Sequence, residues 1–276
     1  WRAEPASQDY QLAARGDEKE LNFTIHPGAA SGSLRFGARS MTLVEHGHIP
    51  IQTLFPEAEV KLVRVDLKKT HTHIGYIAGA GDEVADALRQ VGYDVTPLTD
   101  DALASEPLAK FDAIVTGVRA WNVDKRLPFL HARLMDYVKN GGTLVVQYNT
   151  NNRIGKAPPD IGPHPFEISQ ERVTDEHAAV TQADHPILRA PNKITAADFE
   201  GWIQERGLYF AGKWDAKYDA PLAMNDTGEP ARKGGLLVTK FGKGAFVYTG
   251  LAFFRQLPGG VPGAYRLFAN LIAYGR

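Results

Sequence analysis

The sequence contains no cysteine. That excludes disulfides, thiolate–zinc sites and any cysteine nucleophile. It leaves the compartment open, because a chain without cysteine survives in cytosol and periplasm alike. No apolar run reaches the roughly 18 residues that a membrane-spanning helix needs. Neither sign of charge is in excess: 31 Lys and Arg stand against 32 Asp and Glu, for a net charge of −1. The pI is near 6.8. Such a balance leaves no electrostatic footprint for nucleic acid or anionic lipid, and a cluster as short as Lys68-Lys69 does not change that. Internal repeats and low-complexity tracts are also missing. The chain starts at Trp1, and residues 1–20 are polar without periodicity. They read as a linker or the tail of a preceding domain, in a processed or excised chain.

What is present suits one large domain or two small ones. Of 276 residues, 43% are hydrophobic and 23% charged, enough apolar material for a sizeable core. Residues 20–67 read as β. Leu21, Phe23 and Ile25 alternate with polar neighbours, Leu34 and Phe36 do so again after a small-residue turn, and Val60 to Leu67 form a further run. This is too short for a complete sandwich and reads as an arm or the end of a β domain.

From His73 the pattern changes. Short apolar runs at 74–78, 93–98, 111–118 and 143–148 alternate with helical spacing at 82–91 and 129–140. Gly92 and Gly141-Gly142 stand where those helices should stop. Near-continuous apolar strands joined by helices predict a parallel sheet covered on both faces. The stretch 149–194 reads as a long irregular insertion, and 196–206 as a helix with Thr195 as its cap. Short strands follow near Tyr209 and Leu222, then a hairpin at 235–249 turning at Phe241-Gly242-Lys243-Gly244. Pro262 opens a final helix. The expected division is 1–70 for the linker and β-rich segment and 71–276 for the α/β domain, with its insertion at about 150–194.

Four stretches carry a resemblance: HIGYIAGAGDEVADALRQVGYDVTPL, FDAIVTGVRAWN, YVKNGGTLVVQYNT and GKGAFVYTGLAFFRQLPGGVPGAYRLFANLI. They resemble the class I glutamine-amidotransferase-like superfamily, which includes the ThuA-like proteins. With HIPIQTLFPEAEVKLVRVDL, they are similar to the C-terminal region of large bacterial PIG-L/LmbE-like deacetylases, from about residue 44 onward. The resemblance implies a flavodoxin-like α/β fold, a parallel sheet with helices on both faces, after a short β-rich N-terminal segment. It also implies a link to N-acetyl-sugar deacetylation and, together with the lack of cysteine, a periplasmic or secreted bacterial setting.

Catalytic members carry a cysteine on a tight turn after a central strand and a histidine on a late loop. Here the matching positions read Tyr148-Asn149-Thr150-Asn151 and Leu251-Ala252-Phe253-Phe254-Arg255. Neither required residue is there, so amidotransferase chemistry is not expected. The deacetylase's acidic metal-binding loop is missing too; His164-Pro165-Phe166-Glu167 and Asp184-His185-Pro186-Ile187 lie in the wrong part of the chain. No cofactor is expected, and a linked deacetylase domain or an oligomer remains open as a partner.

Ligands of open α/β sheets bind beyond the C-terminal ends of the strands. That rule selects Gly81, Asp82, Arg119, Trp121, Asn122, Tyr148, Asn149, Asn151, Phe253 and Arg255. Their amide, guanidinium and aromatic groups suit a polar neutral or anionic ligand such as a sugar, with Trp121 or Phe253 as stacking platforms. The plainer reading makes the arginines loop anchors and Trp121 a packed side chain. The turn Gly79-Ala80-Gly81 reads as tight geometry with Asp82 capping, rather than as a phosphate cradle. His46, His48, His71 and His73 form two H-x-H pairs that could grip a metal from a strand, or simply be surface histidines. Asp175, Glu176, His177 and His185 are an acid/base candidate or loop-ordering contacts. Asp198, Glu200 and Glu205 read as the solvated face of the helix around Trp202. Trp202, Tyr209, Phe210 and Trp214 read as an aromatic wall between insertion and sheet. Three functions stay open: a non-catalytic binding or supporting module, a carbohydrate hydrolase using other residues, and an oligomerisation module.

Overall fold

The computed structural model describes residues 1–151 and 160–275. The chain divides into two units, Trp1–Val65 and Asp66–Arg276.

The first unit consists of three antiparallel strand pairs. Arg2–Glu4 pairs with Thr24–His26, Gly32–Arg39 with Glu57–Leu62, and Thr42–Val44 with Gln52–Leu54. The segment expected as an unstructured linker therefore supplies a strand: the unpaired edge at Thr24–His26 captures Arg2–Glu4 through backbone bonds that a polar sequence can still make. None of the buried hydrophobic side chains of the described residues belongs to this unit.

The second unit is α/β, built on a six-stranded sheet. Its strands are β1 (His73–Ile77), β2 (Asp94–Pro97), β3 (Ala113–Thr116), β4 (Thr143–Val146), β5 (Leu236–Phe241) and β6 (Gly244–Thr249). The spatial order is β5-β6-β4-β3-β1-β2. Five strands run parallel, and β5 closes one edge antiparallel to β6. The sheet is thus mixed, where an all-parallel one is expected. The cause is local: the tight turn at Gly242 and Lys243 folds β6 straight back on β5, with Phe241 opposite Gly244.

The helices are α1 (Val84–Gln90), α2 (Asp100–Ser105), α3 (Ala120–Val123), α4 (His131–Lys139), α5 (Phe253–Gln256) and α6 (Pro262–Ala273). Among the described residues no helix is long and apolar enough to cross a membrane. Gly92 ends α1 as expected, at φ 81°, with its N–H on the Arg89 carbonyl at 2.9 Å. The expected helix 129–140 splits into a 3-10 turn, Leu127–Leu130, and α4. Alternate strand residues sort the two faces. Leu144, Val146, Phe246 and Tyr248 form one core with Leu134 and Val138 of α4. Val145 and Val247, equally buried, take the opposite face of their strands. Helix α6 packs on β4 and is buried on nearly all sides.

Two expectations about the second half need correction. Within 160–194 the insertion is not irregular. Phe166–Ile168, Arg172–Val173 and Ala179–Gln182 pair with Ala211–Trp214, Gly207–Leu208 and Leu222–Asn225; residues 152–159 of the expected insertion lie outside the described residues. Their partners are distant in sequence, so no local turn signal announces them. The expected helix 196–206 is one 3-10 turn, Ala196–Phe199. The Thr195 N–H donates to the Asp198 carboxylate at 2.8 Å, so the start is capped, but the chain then turns away at Gly201 and Gln204, both at positive φ.

Candidate functional site

Parallel order carries the C-terminal ends of β1, β3, β4 and β6 to one edge of the sheet. The loops that follow are stitched together by backbone. The Gly117 N–H donates to the Ile77 carbonyl (2.7 Å), Ala80 to Val118 (2.8 Å) and Arg119 to Tyr148 (2.6 Å). Gly79 is a glycine because the loops touch: a Cβ there would lie 2.1 Å from the Val118 carbonyl oxygen.

Asp82 locks this arrangement. Its carboxylate accepts from the Tyr76 hydroxyl, from the Val84 N–H (3.0 Å) and from the Val118 N–H (2.8 Å). It ties β1, α1 and the β3 loop together and has little capacity left for a ligand. Gly81 is exposed at φ 102° beside it.

The other predicted residues separate into two groups. Trp121 is 2% exposed, Asn149 0% and Phe253 0%. The Trp121 backbone N–H donates to Asn149 Oδ1 at 3.1 Å, and the indole ring meets His131 edge-on. Phe253 packs between Trp202 and Phe268. Neither expected stacking platform offers a face to solvent. Both lie in short helices, α3 and α5, whose first turns point them inward where a loop was expected. Asn122 exchanges two bonds of 2.8 Å with the Thr150 backbone, and Asn151 donates to the Ile168 carbonyl at 3.2 Å. These asparagines hold the β4 loop in place.

Arg119, Tyr148 and Arg255 form the second group, each half-buried at the strand ends. The rings that accompany them are Phe254, stacked on Tyr148 with centroids 5.8 Å apart, and Tyr209, edge-on to Tyr148 at 6.0 Å. Tyr209 arrives because the Leu208 N–H donates to the Gly250 carbonyl at 2.7 Å, which seats that segment beside the end of β6. Phe254 and Glu205 were not singled out as ligand groups by sequence. Glu205 is 9% exposed, not solvated, and its Oε1 lies 2.8 Å from Arg255 Nε. Arg255 also donates to Gln204 Oε1 at 2.7 Å and lies over the Phe254 ring. Asp198 is likewise buried, paired with Arg266 at 2.6 Å. Glutamate and aspartate in a helix-like stretch give no sequence sign that a distant arginine will meet them.

Burial raises the Tyr148 phenol above its ordinary value; the Arg119 and Arg255 charges oppose this, and Tyr209 and Glu205 add to it. Burial, then Asp82, pushes the Tyr76 phenol well up. Both stay protonated at neutral pH, as hydrogen-bond donors rather than nucleophiles or bases.

Eight buried side-chain polar atoms of the described residues have no hydrogen-bond partner, and five lie at these strand ends: Thr116 Oγ1, Arg119 Nε, Trp121 Nε1, Gln147 Oε1 and Thr150 Oγ1. Buried polar groups are nearly always paired; these five have no partner among the described residues, and Thr116, Trp121, Gln147 and Thr150 are themselves buried. Gln147 follows β4 directly, and its Nε2 donates to the Thr116 carbonyl at 3.1 Å.

The remaining candidates lie elsewhere. His46 and His48 stack on each other, centroids 5.8 Å apart, in the first unit. His71 and His73 stand at the other end of β1, 3.8 and 3.6 Å from Asp112. No group of three His, Asp or Glu able to hold a metal occurs among the described residues. The acid/base candidate does not assemble: His177 is 4.0 Å from Glu176 on the surface, and His185 is 3.5 Å from Asp219.

No family model matches the chain. No curated protein matches it either. Among solved structures, it is similar to a cytoplasmic protein of Salmonella typhimurium at 14% identity and a TM-score of 0.43, covering 89% of this chain and 96% of that one. A β-galactosidase from a Rahnella species matches at 17% identity and a TM-score of 0.44, over 75% of this chain. An exo-β-1,4-mannosidase from an Opitutaceae bacterium matches at 13% identity and a TM-score of 0.41, also over 75%. The chain spans 31% and 36% of the length of those two glycosidases. Likenesses this distant show neither a family nor a function.

Proposed function

We propose that the second unit is an amidotransferase-like module of flavodoxin-like type that has no amidotransferase chemistry and binds a polar, saccharide-type ligand at the C-terminal ends of its strands. The observation that carries this reading is the half-exposed rings of Tyr148, Tyr209 and Phe254 beside the half-buried guanidinium groups of Arg119 and Arg255. Convergent polar groups beside aromatic surface are what a small-molecule site needs. The order of the five parallel strands, β2-β1-β3-β4-β6, follows the flavodoxin-like pattern, with β5 as an antiparallel addition. The sequence resemblance supplies the context, in which the module serves a linked PIG-L/LmbE-like deacetylase.

A carbohydrate hydrolase, the alternative, would draw on Glu205 and Tyr148. Glu205 is tied to Arg255, and the Tyr148 phenol is raised, so neither is poised as base or nucleophile.

A thermal-shift panel of neutral, N-acetylated and acidic sugars tests the proposal. A ligand at 100 times its Kd stabilises by about 2.7 kcal/mol. Tyr148→Ala should abolish the shift in a variant that still unfolds cooperatively, although losing its contacts to Phe254 and Tyr209 lowers the unliganded midpoint by a few degrees. No shift with any sugar sinks the binding reading. Glycoside turnover that disappears in Glu205→Gln would favour the hydrolase.

A further inference from the structure

The two arginines at the strand ends differ in one respect. Arg255 is neutralised by Glu205 at 2.8 Å. Arg119 forms no ion pair with any carboxylate of the described residues, and its Nε is shielded from solvent without an acceptor. Its backbone is fixed by the N–H bond to Tyr148, at φ 58°, a left-handed conformation that an arginine rarely adopts. An observed outlier of this kind is a reason to look for function. A half-buried cation needs a counter-charge, and a guanidinium fork matches a carboxylate or phosphate in two parallel bonds. Tyr148, next to it, is a phenol that stays protonated and can donate to the same anion.

Resting on the saccharide-binding reading above, we infer that the ligand is an anionic sugar, a hydroxylated ring bearing a carboxylate or phosphate, and that the Arg119 guanidinium receives the negative group. The aromatic surface of Tyr148, Tyr209 and Phe254 takes the ring.

The experiment is calorimetric titration of the full chain with glucuronate, glucose 6-phosphate and glucose, at low and high salt. One or both anionic sugars should bind at least tenfold more tightly than glucose, and more weakly as salt rises. The better of the two anions identifies whether carboxylate or phosphate is the natural group. Arg119→Gln should reduce that affinity to the glucose level with an unchanged unfolding midpoint, Arg119→Lys should restore part of it, and Lys125→Gln, an exposed neighbour, should change nothing. Equal binding of all three sugars, unaffected by Arg119→Gln, overturns the anionic assignment and leaves the binding reading in place. Binding of none of the three overturns the assignment; the neutral and N-acetylated sugars of the thermal-shift panel then decide whether the binding reading falls with it.

Discussion

Single side chains in the second unit carry polar contacts that hold segments far apart in sequence. Arg206, 5% exposed, donates to the carbonyls of Ala178 and Phe199, and its guanidinium lies over the Phe199 and Trp202 rings. Asp226 is the anionic counterpart. Burial alone would raise its carboxyl, but bonds from the Asp175 N–H (3.0 Å), the Thr174 N–H (3.0 Å) and the Thr174 hydroxyl (2.7 Å), together with the Arg232 charge, leave it below the ordinary range. Because the native value is the lower one, the unfolded chain binds more protons at acid pH. The stabilisation is fully present above about pH 3.9 and is lost as pH falls through the native value. Asp226→Asn should lower stability at pH 6 and flatten the acid limb of the stability–pH curve, which urea titrations from pH 6 to pH 2 would read. An unchanged slope would mean that these bonds do not favour the charged form. None of this was legible in the sequence, since nothing marks Thr174 and Asp226 as neighbours across some fifty positions.

Periodicity announced the elements best where each is covered on both faces. The runs at 74–78, 111–118 and 143–148 and the helix spacing at 82–91 were readable because burial dictates residue type at each position. The insertion was not readable, because its strands are two to four residues long and their partners lie far along the chain. It is fastened to α6 by a pair of buried asparagines. Asn270 Nδ2 donates to the carbonyls of Ile187 (2.8 Å) and Asn192 (2.7 Å), and its Oδ1 accepts from the Asn192 N–H at 2.9 Å. Asn192 in turn exchanges bonds of 2.9 and 2.8 Å with the Lys68 backbone. Asn270→Leu would keep the helix but leave several buried groups unpaired. The expected cost is about 3 kcal/mol, a midpoint lowered by roughly 6–12 °C in a thermal melt. A change below about 2 °C would show that the network contributes little.

Among the described residues, the fully buried apolar side chains all lie in the second unit. The core begins at Ile74, whereas Tyr10, Leu12, Met41, Ile51 and Phe55 of the first unit stay exposed. Three two-stranded ladders without a shared core are marginal in water. A chain of residues 66–276 should therefore unfold in one cooperative transition within about 1 kcal/mol of the full chain, and residues 1–65 alone should show none. Loss of cooperativity in the longer fragment would contradict this division of stability.

The sequence by itself determined the α/β class, the start of the alternating pattern near His73 and the absence of any cysteine nucleophile, because these depend on residue type and local spacing. It also pointed to the loops at the C-terminal ends of the strands as the place to look for a ligand. Only the tertiary structure decided which side chains in those loops are accessible. Trp121 and Phe253 were drawn into the core by the short helices α3 and α5, while Tyr209 was delivered from the far segment by pairing with the end of β6. Arg255 was given its carboxylate and Arg119 was left without one. Those outcomes depend on long-range contacts, in which each partner is fixed by packing elsewhere in the chain and leaves no local mark.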